Sequence, residues 1–224
     1  MARKVSILRS GEDLWQKHVR IYYGIFLLAL EKLPLATMRD KSESDISEQL
    51  FLNLQEVCRE EIKRNSDVRD PDWEKPIPPE QLTGKPNAAK KPDFTCTIFN
   101  PDYFETEDYR KDLHIECKRL NAEKRAGSLT QKYVTEGIQR FDAATHKYGK
   151  NVNTGFMIGY IVSDNSAEIL KAVNQHLHGK SKGDSLTAVE IKNSVTVYNQ
   201  NMHRKTVIPS EFNLIHFWKD SVAT

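Results

Sequence analysis

Cysteine is scarce in this chain of 224 residues: Cys58, Cys96 and Cys117 are odd in number and fall at no metal-like spacing. That argues against both a disulfide framework and a zinc site, and it favours a reducing, cytoplasmic setting. Long hydrophobic runs are missing too. The longest, "IYYGIFLLAL" at 21–30, is about half of the roughly twenty residues a bilayer requires, so no membrane partner is expected. The N-terminal "MARKVSILRSGED" turns acidic too soon for a signal peptide. Nor does one charge sign dominate, since 33 Lys and Arg stand against 31 Asp and Glu, a balance under which a local basic groove can still be hidden. There is no internal repeat, no low-complexity tail, and nothing like a helicase, a zinc finger or a dedicated sequence-reading module.

What is present reads as one α/β unit with a mixed sheet and helices on its faces. Ser10 suits a helix N-cap, with Glu12 and Asp13 in the first turn, and the helix is expected to run to about Leu33. It is apolar on most sides past Ile21, which predicts burial or packing against a partner. A second helix starts near "SESDISEQLFLNLQEVCREEIKR", where Ile46, Leu50, Leu54 and Val57 form a stripe at helical spacing. Residues 65–92 are rich in proline and are expected to hold no regular element. "DFTCTIF" (93–99) and "DLHIECKRL" (112–120) alternate with period two, as strands do. A helix over about 129–148, ended by Gly149, has a predicted core stripe of Val134, Ile138, Phe141 and Ala144. A buried strand follows at 155–163, then a helix at 165–179 closed by Gly179, then strands within 186–199 and 212–218.

The second alternating strand carries chemistry. Leu113, Ile115 and Cys117 share one face; His114, Glu116 and Lys118 share the other. If the two strands pair, Asp93 at the start of one and Glu116 inside the next can converge on one hard divalent cation, Mg²⁺ or Mn²⁺. The backbone carbonyl of Cys117 is a further candidate ligand, a role that needs no particular side chain. The Lys118 ammonium can orient an attacking water or stabilise charge developing on a phosphate. The plainer alternatives are an ion pair for Glu116 and Lys118, a turn residue for Asp93 and a structural role for His114.

"PDF" at 92–94 followed by "ECK" at 116–118 resembles the PD-(D/E)XK nuclease superfamily, whose fold is restriction-endonuclease-like. The order helix, strand, strand, helix, strand is similar to that family's core over roughly residues 44–165. Two other Pro-Asp pairs, at 71–72 and 101–102, open no alternating strand. The resemblance implies a nuclease domain over 44–224, with 1–43 as an N-terminal helical extension and the whole forming a single compact unit. It implies metal ligation by Asp93 and Glu116, a further acidic ligand from the preceding helix, here Glu48, and Lys118 assisting the nucleophile. The helix after the catalytic strand can contribute Gln131, Tyr133 or Arg140, and His114 is a candidate for touching substrate. The expected partner is nucleic acid, DNA first, with basic residues outnumbering acidic ones from 118 to 150. A homodimer through the apolar first helix, or a partner subunit, fits double-strand cutting, and restriction or phage defence fits by analogy of fold. RNA cleavage by the same site, a non-catalytic nucleic-acid-binding module and a purely structural protein are the competing readings.

Overall fold

The computed structural model describes residues 2–37, 39–65, 67–76, 91–99, 109–163, 165–178 and 184–220, with backbone alone for 2–13. Its centre is a seven-stranded mixed sheet. The strands are β1 (Asp72–Trp73), β2 (Phe94–Phe99), β3 (Arg110–Leu120), β4 (Thr154–Ile161), β5 (Thr187–Lys192), β6 (Val195–His203) and β7 (Glu211–Asp220). They lie in the order β1-β2-β3-β4-β7-β6-β5. The middle pairs, β3 with β4 and β4 with β7, are parallel, and the flanking pairs are antiparallel.

Both faces of the centre are covered, as a parallel core requires. On one side lie α1 (Ala2–Glu31) and α2 (Glu43–Ile62). Trp15, Val19, Tyr22, Phe26 and Leu30 of α1 recur at helical spacing and share a core with Ile46, Leu50, Leu54 and Val57 of α2 and with Phe94, Ile115, Cys117 and Phe156 of the sheet. From Trp15 onwards the first helix is therefore part of the core. Its polar groups are satisfied there too: the Tyr22 hydroxyl donates to the Arg69 carbonyl at 2.7 Å, and His18 Nε2 bonds the Cys96 carbonyl at 3.2 Å. On the other side lie α3 (Leu129–Lys132), the turns that follow it and α4 (Ser166–His178); Val134, Ile138 and Phe141 of the turns and Ile169, Val173 and Leu177 of α4 share a core with Met157, Leu214 and Trp218.

The expected strands and the second and fourth helices stand within a few residues of their predicted bounds. Four details differ. Helix α1 begins at Ala2, upstream of Ser10. The proline-rich stretch contributes β1, because Asp72 and Trp73 pair with Thr95 and Phe94 and Trp73 packs on Phe51 at 5.3 Å. The helix expected over 129–148 is regular only through Lys132; it widens into a π turn (Tyr133–Gly137), tightens into a 3₁₀ turn (Ile138–Asp142) and stops, leaving Ala144 exposed. Gly149 caps no helix but sits at φ +68° in the loop beyond. Gly179 lies outside the described residues. Among those residues, no helix is long and apolar enough to cross a membrane.

Candidate active site

The site exists because β3 outruns β2. Phe94 pairs with Ile115, so Glu116–Leu120 continue past the start of β2 with no strand on that edge. Successive amides on a strand point to opposite edges, so the Cys117 and Arg119 N–H groups both face the gap. Carboxylates fill it instead. Cys117 N–H donates to Asp93 Oδ2 at 2.5 Å, and Arg119 N–H donates to Glu43 Oε2 at 3.0 Å. Two side chains thus replace the missing backbone acceptors.

Glu43 reaches this edge because α2 starts there. Ser42 is its N-cap, its hydroxyl accepting from Asp45 N–H at 3.1 Å while its own N–H donates to Asp45 Oδ2 at 3.1 Å. That capping box fixes the first turn and holds Glu43 at the helix's first position. Lys118 Nζ then lies 2.8 Å from Glu43 Oε1, 2.9 Å from Glu116 Oε1 and 2.7 Å from the Cys117 carbonyl. From the other side Arg140 Nη1 also bonds Glu116 Oε1. The break in the helix after Lys132 brings Arg140 over the strand. Its Gly137 lies so close that a Cβ there would stand 2.6 Å from the Met157 methyl and 3.4 Å from Lys118 Cγ.

Burial sets the electrostatics. Glu116 is completely inaccessible, and desolvation raises its pKa against the pull of Lys118 and Arg140. Its second oxygen, Oε2, is buried with no hydrogen-bond partner. Asp93 is pushed up to about 7 by burial and then by the neighbouring Glu116 charge, with Lys118 and the Cys117 amide opposing. Burial would lower Lys118, but Glu116, Glu43 and Asp93 together outweigh it and raise its pKa. Three carboxylates and two cations therefore share one edge of the sheet, with an excess of negative charge when all are ionised.

The structure thus brings together Asp93, Glu116, Lys118 and Arg140, and adds Glu43. Glu48 is not among them. It is exposed and, five residues after Glu43, is rotated about 140° around the helix axis from it. The acidic residue of α2 that meets the strand is Glu43, and its signal in the sequence is the capping pattern of Ser42 and Asp45. His114 has a structural position: its Nδ1 accepts the Gly149 N–H at 2.9 Å, and burial lowers its pKa to about 4, which keeps the ring neutral. Gln131 Oε1 accepts the Gly127 N–H at 2.6 Å and serves the preceding loop. Tyr133 points into a different network. Its hydroxyl accepts from Trp218 Nε1 at 2.9 Å and donates to His216 Nδ1 at 2.7 Å. His216 Nε2 in turn bonds Gln200 Oε1 at 3.2 Å. The Cys117 carbonyl is engaged by Lys118, though an oxygen with two lone pairs keeps room for a second partner.

Among the described residues, no group of three His, Cys, Asp or Glu is arranged to hold a metal ion. The donors at this edge nevertheless fit a hard cation. Mg²⁺ takes one or two carboxylates and completes its shell with other oxygens. A buried carboxylate oxygen without a donor, next to a second carboxylate destabilised by it, is an arrangement that a cation relieves.

No protein-family model matches the chain, and no curated protein or solved structure matches it either.

Proposed function

We propose that the chain is a divalent-metal-dependent nuclease of the PD-(D/E)XK kind, with a restriction-endonuclease-like core, hydrolysing phosphodiester bonds in DNA. The observation that carries this reading is the unpartnered, buried Oε2 of Glu116 beside Asp93, on the same edge as Lys118. The run α2, β2, β3, α3, β4 gives the fold reading its support. Asp93, Glu116 and the Cys117 carbonyl would hold Mg²⁺ or Mn²⁺. When bound, the ion supplies charge neutralisation at the phosphate and activation of the attacking water.

The chain's own residues do the rest. Lys118, with its raised pKa, stays an ammonium at neutral pH, so it donates hydrogen bonds and positive charge and does not act as a base. Glu43 and the Cys117 carbonyl fix its Nζ, which spares reorganisation when charge develops on a phosphate oxygen. Arg140, partly exposed, orients Glu116 by bonding Oε1 and leaves Oε2 open.

The test is cleavage of circular and linear, single- and double-stranded DNA and matched RNA with Mg²⁺, Mn²⁺ or EDTA, beside Lys118→Ala. Metal-dependent cutting of DNA, lowered by about a hundredfold or more in the variant, is expected. No cutting by the wild type, or undiminished cutting by Lys118→Ala, overturns the assignment. Preference for RNA would keep the chemistry and replace the substrate.

A further inference from the structure

Next to Arg140 opens a cleft of about 340 Å³, distinct from the strand edge but sharing that arginine with it. One wall is the 3₁₀ turn with Ile138, Gln139 and Arg140; the other is the end of β6 with Met202 and the connection beyond it with Lys205. The walls are fastened to each other. Asp142 Oδ1 accepts the N–H groups of Lys205 at 2.7 Å and Thr206 at 3.0 Å. Arg204, only 2% exposed, donates to the carbonyls of Phe141, Tyr148, Gly149, Val152 and Pro209. The cleft is therefore preformed rather than a gap between loose loops.

Its lining is rich in donors. Arg140 and Lys205 bring positive charge, and the buried Gln139 Nε2 has no acceptor. One oxygen of the lining carboxylate, Asp142 Oδ1, is already bound to two amides, and His203 is paired with Glu211 at 2.8 Å. Ile138 and Met202, both buried, form an apolar floor beside these donors. An acceptor-rich anion with a flat apolar part suits such a lining, and the volume falls near the lower end of small-ligand pockets, about 300–1,000 Å³.

We propose that this cleft binds one phosphorylated nucleotide of the strand being cut, its phosphate held by Arg140, Lys205 and Gln139 and its base against Ile138 and Met202. The assignment rests on the nuclease reading for its substrate class, and the cleft fixes which unit of the strand is gripped.

Binding is measured by calorimetry in EDTA, so that it does not depend on cleavage, using thymidine 5′-monophosphate, thymidine and inorganic phosphate. The nucleotide should bind one to one, more tightly than inorganic phosphate, with thymidine silent. Lys205→Glu, at an exposed side chain, should weaken the nucleotide by about tenfold or more, and Gln139→Leu should weaken it as well. Thermal melts confirm that both variants fold. No nucleotide binding, equal binding of thymidine, phosphate binding as tight as the nucleotide, or an affinity unchanged in both variants overturns the inference. Nucleotide binding without any cleavage would remove the nuclease reading and leave the cleft assigned; cleavage without nucleotide binding would do the reverse.

Discussion

Two buried polar clusters lie in this sheet, and they are built on opposite principles. Around Tyr133 a chain of neutral groups runs from the Trp218 indole through the tyrosine hydroxyl and His216 to Gln200, whose Nε2 donates to the Asp184 carbonyl at 3.1 Å. Donors and acceptors match along it, and burial keeps His216 neutral by lowering its pKa to about 3. Around Glu116 the groups are charged, carboxylates crowd one another, and a buried oxygen is left over. The first pattern is what a core needs to hold polar side chains without loss. The second costs stability, and such costs concentrate where a chain does chemistry. A tyrosine and a glutamate that both stand as site candidates in the sequence are separated by whether their partners complete them.

The contrast can be attacked directly. The largest effect is expected from Glu116→Gln, which keeps the shape but removes the charge: metal-dependent cleavage should fall by about a thousandfold or more, while circular dichroism shows a folded chain. Retained cleavage would place the chemistry elsewhere. Tyr133→Phe should do the opposite. It strands the Trp218 N–H and the His216 ring, costing about 1–3 kcal/mol in urea denaturation, with any cleavage rate of the folded protein unchanged. A rate loss at equal folded fraction would merge the two clusters into one site.

The clusters should also answer pH with opposite signs. The folded pKa of His216 is depressed from 6.5 to about 3, so the unfolded chain binds the proton first and stability falls as pH drops from 6.5 towards 3. Asp93 is raised from 3.8 to about 7, so the folded chain binds its proton first and stability contributed there is lost as pH rises through 7. Asp93→Asn, which retains an oxygen for the Cys117 amide, should therefore stabilise the chain more at pH 8 than at pH 5, by about 1 kcal/mol. Denaturant midpoints at the two pH values decide this smallest effect; equal shifts at both would mean that Asp93 is not strained by its neighbour.

Much of this was legible in the residues themselves. Alternation through 112–120 placed Glu116 and Lys118 on one face, and the stripe of Ile46, Leu50, Leu54 and Val57 oriented α2. What stayed hidden depends on contacts distant in sequence. Glu43 rather than Glu48 meets Lys118 because of helical phase and of where α2 abuts β3, a contact spanning 75 positions. Tyr133 looked like a site residue until its partners on β7, 83 and 85 positions away, were in view. Arg140 reaches Glu116 through a π turn and a 3₁₀ turn that no periodicity announces. The brief strand β1 forms because Trp73 finds Phe51 and the free edge of β2, and proline content alone gave no hint of either.

The overhang of β3 has an evolutionary consequence. Asp93 and Glu43 are tethered to peptide N–H groups, which every residue except proline supplies. The tethers themselves therefore place no demand on the side chains at 117 and 119. The Cys117 thiol takes no part in these tethers and packs into the core on the strand's other face. The geometry is anchored in the part of the polypeptide that substitution leaves alone.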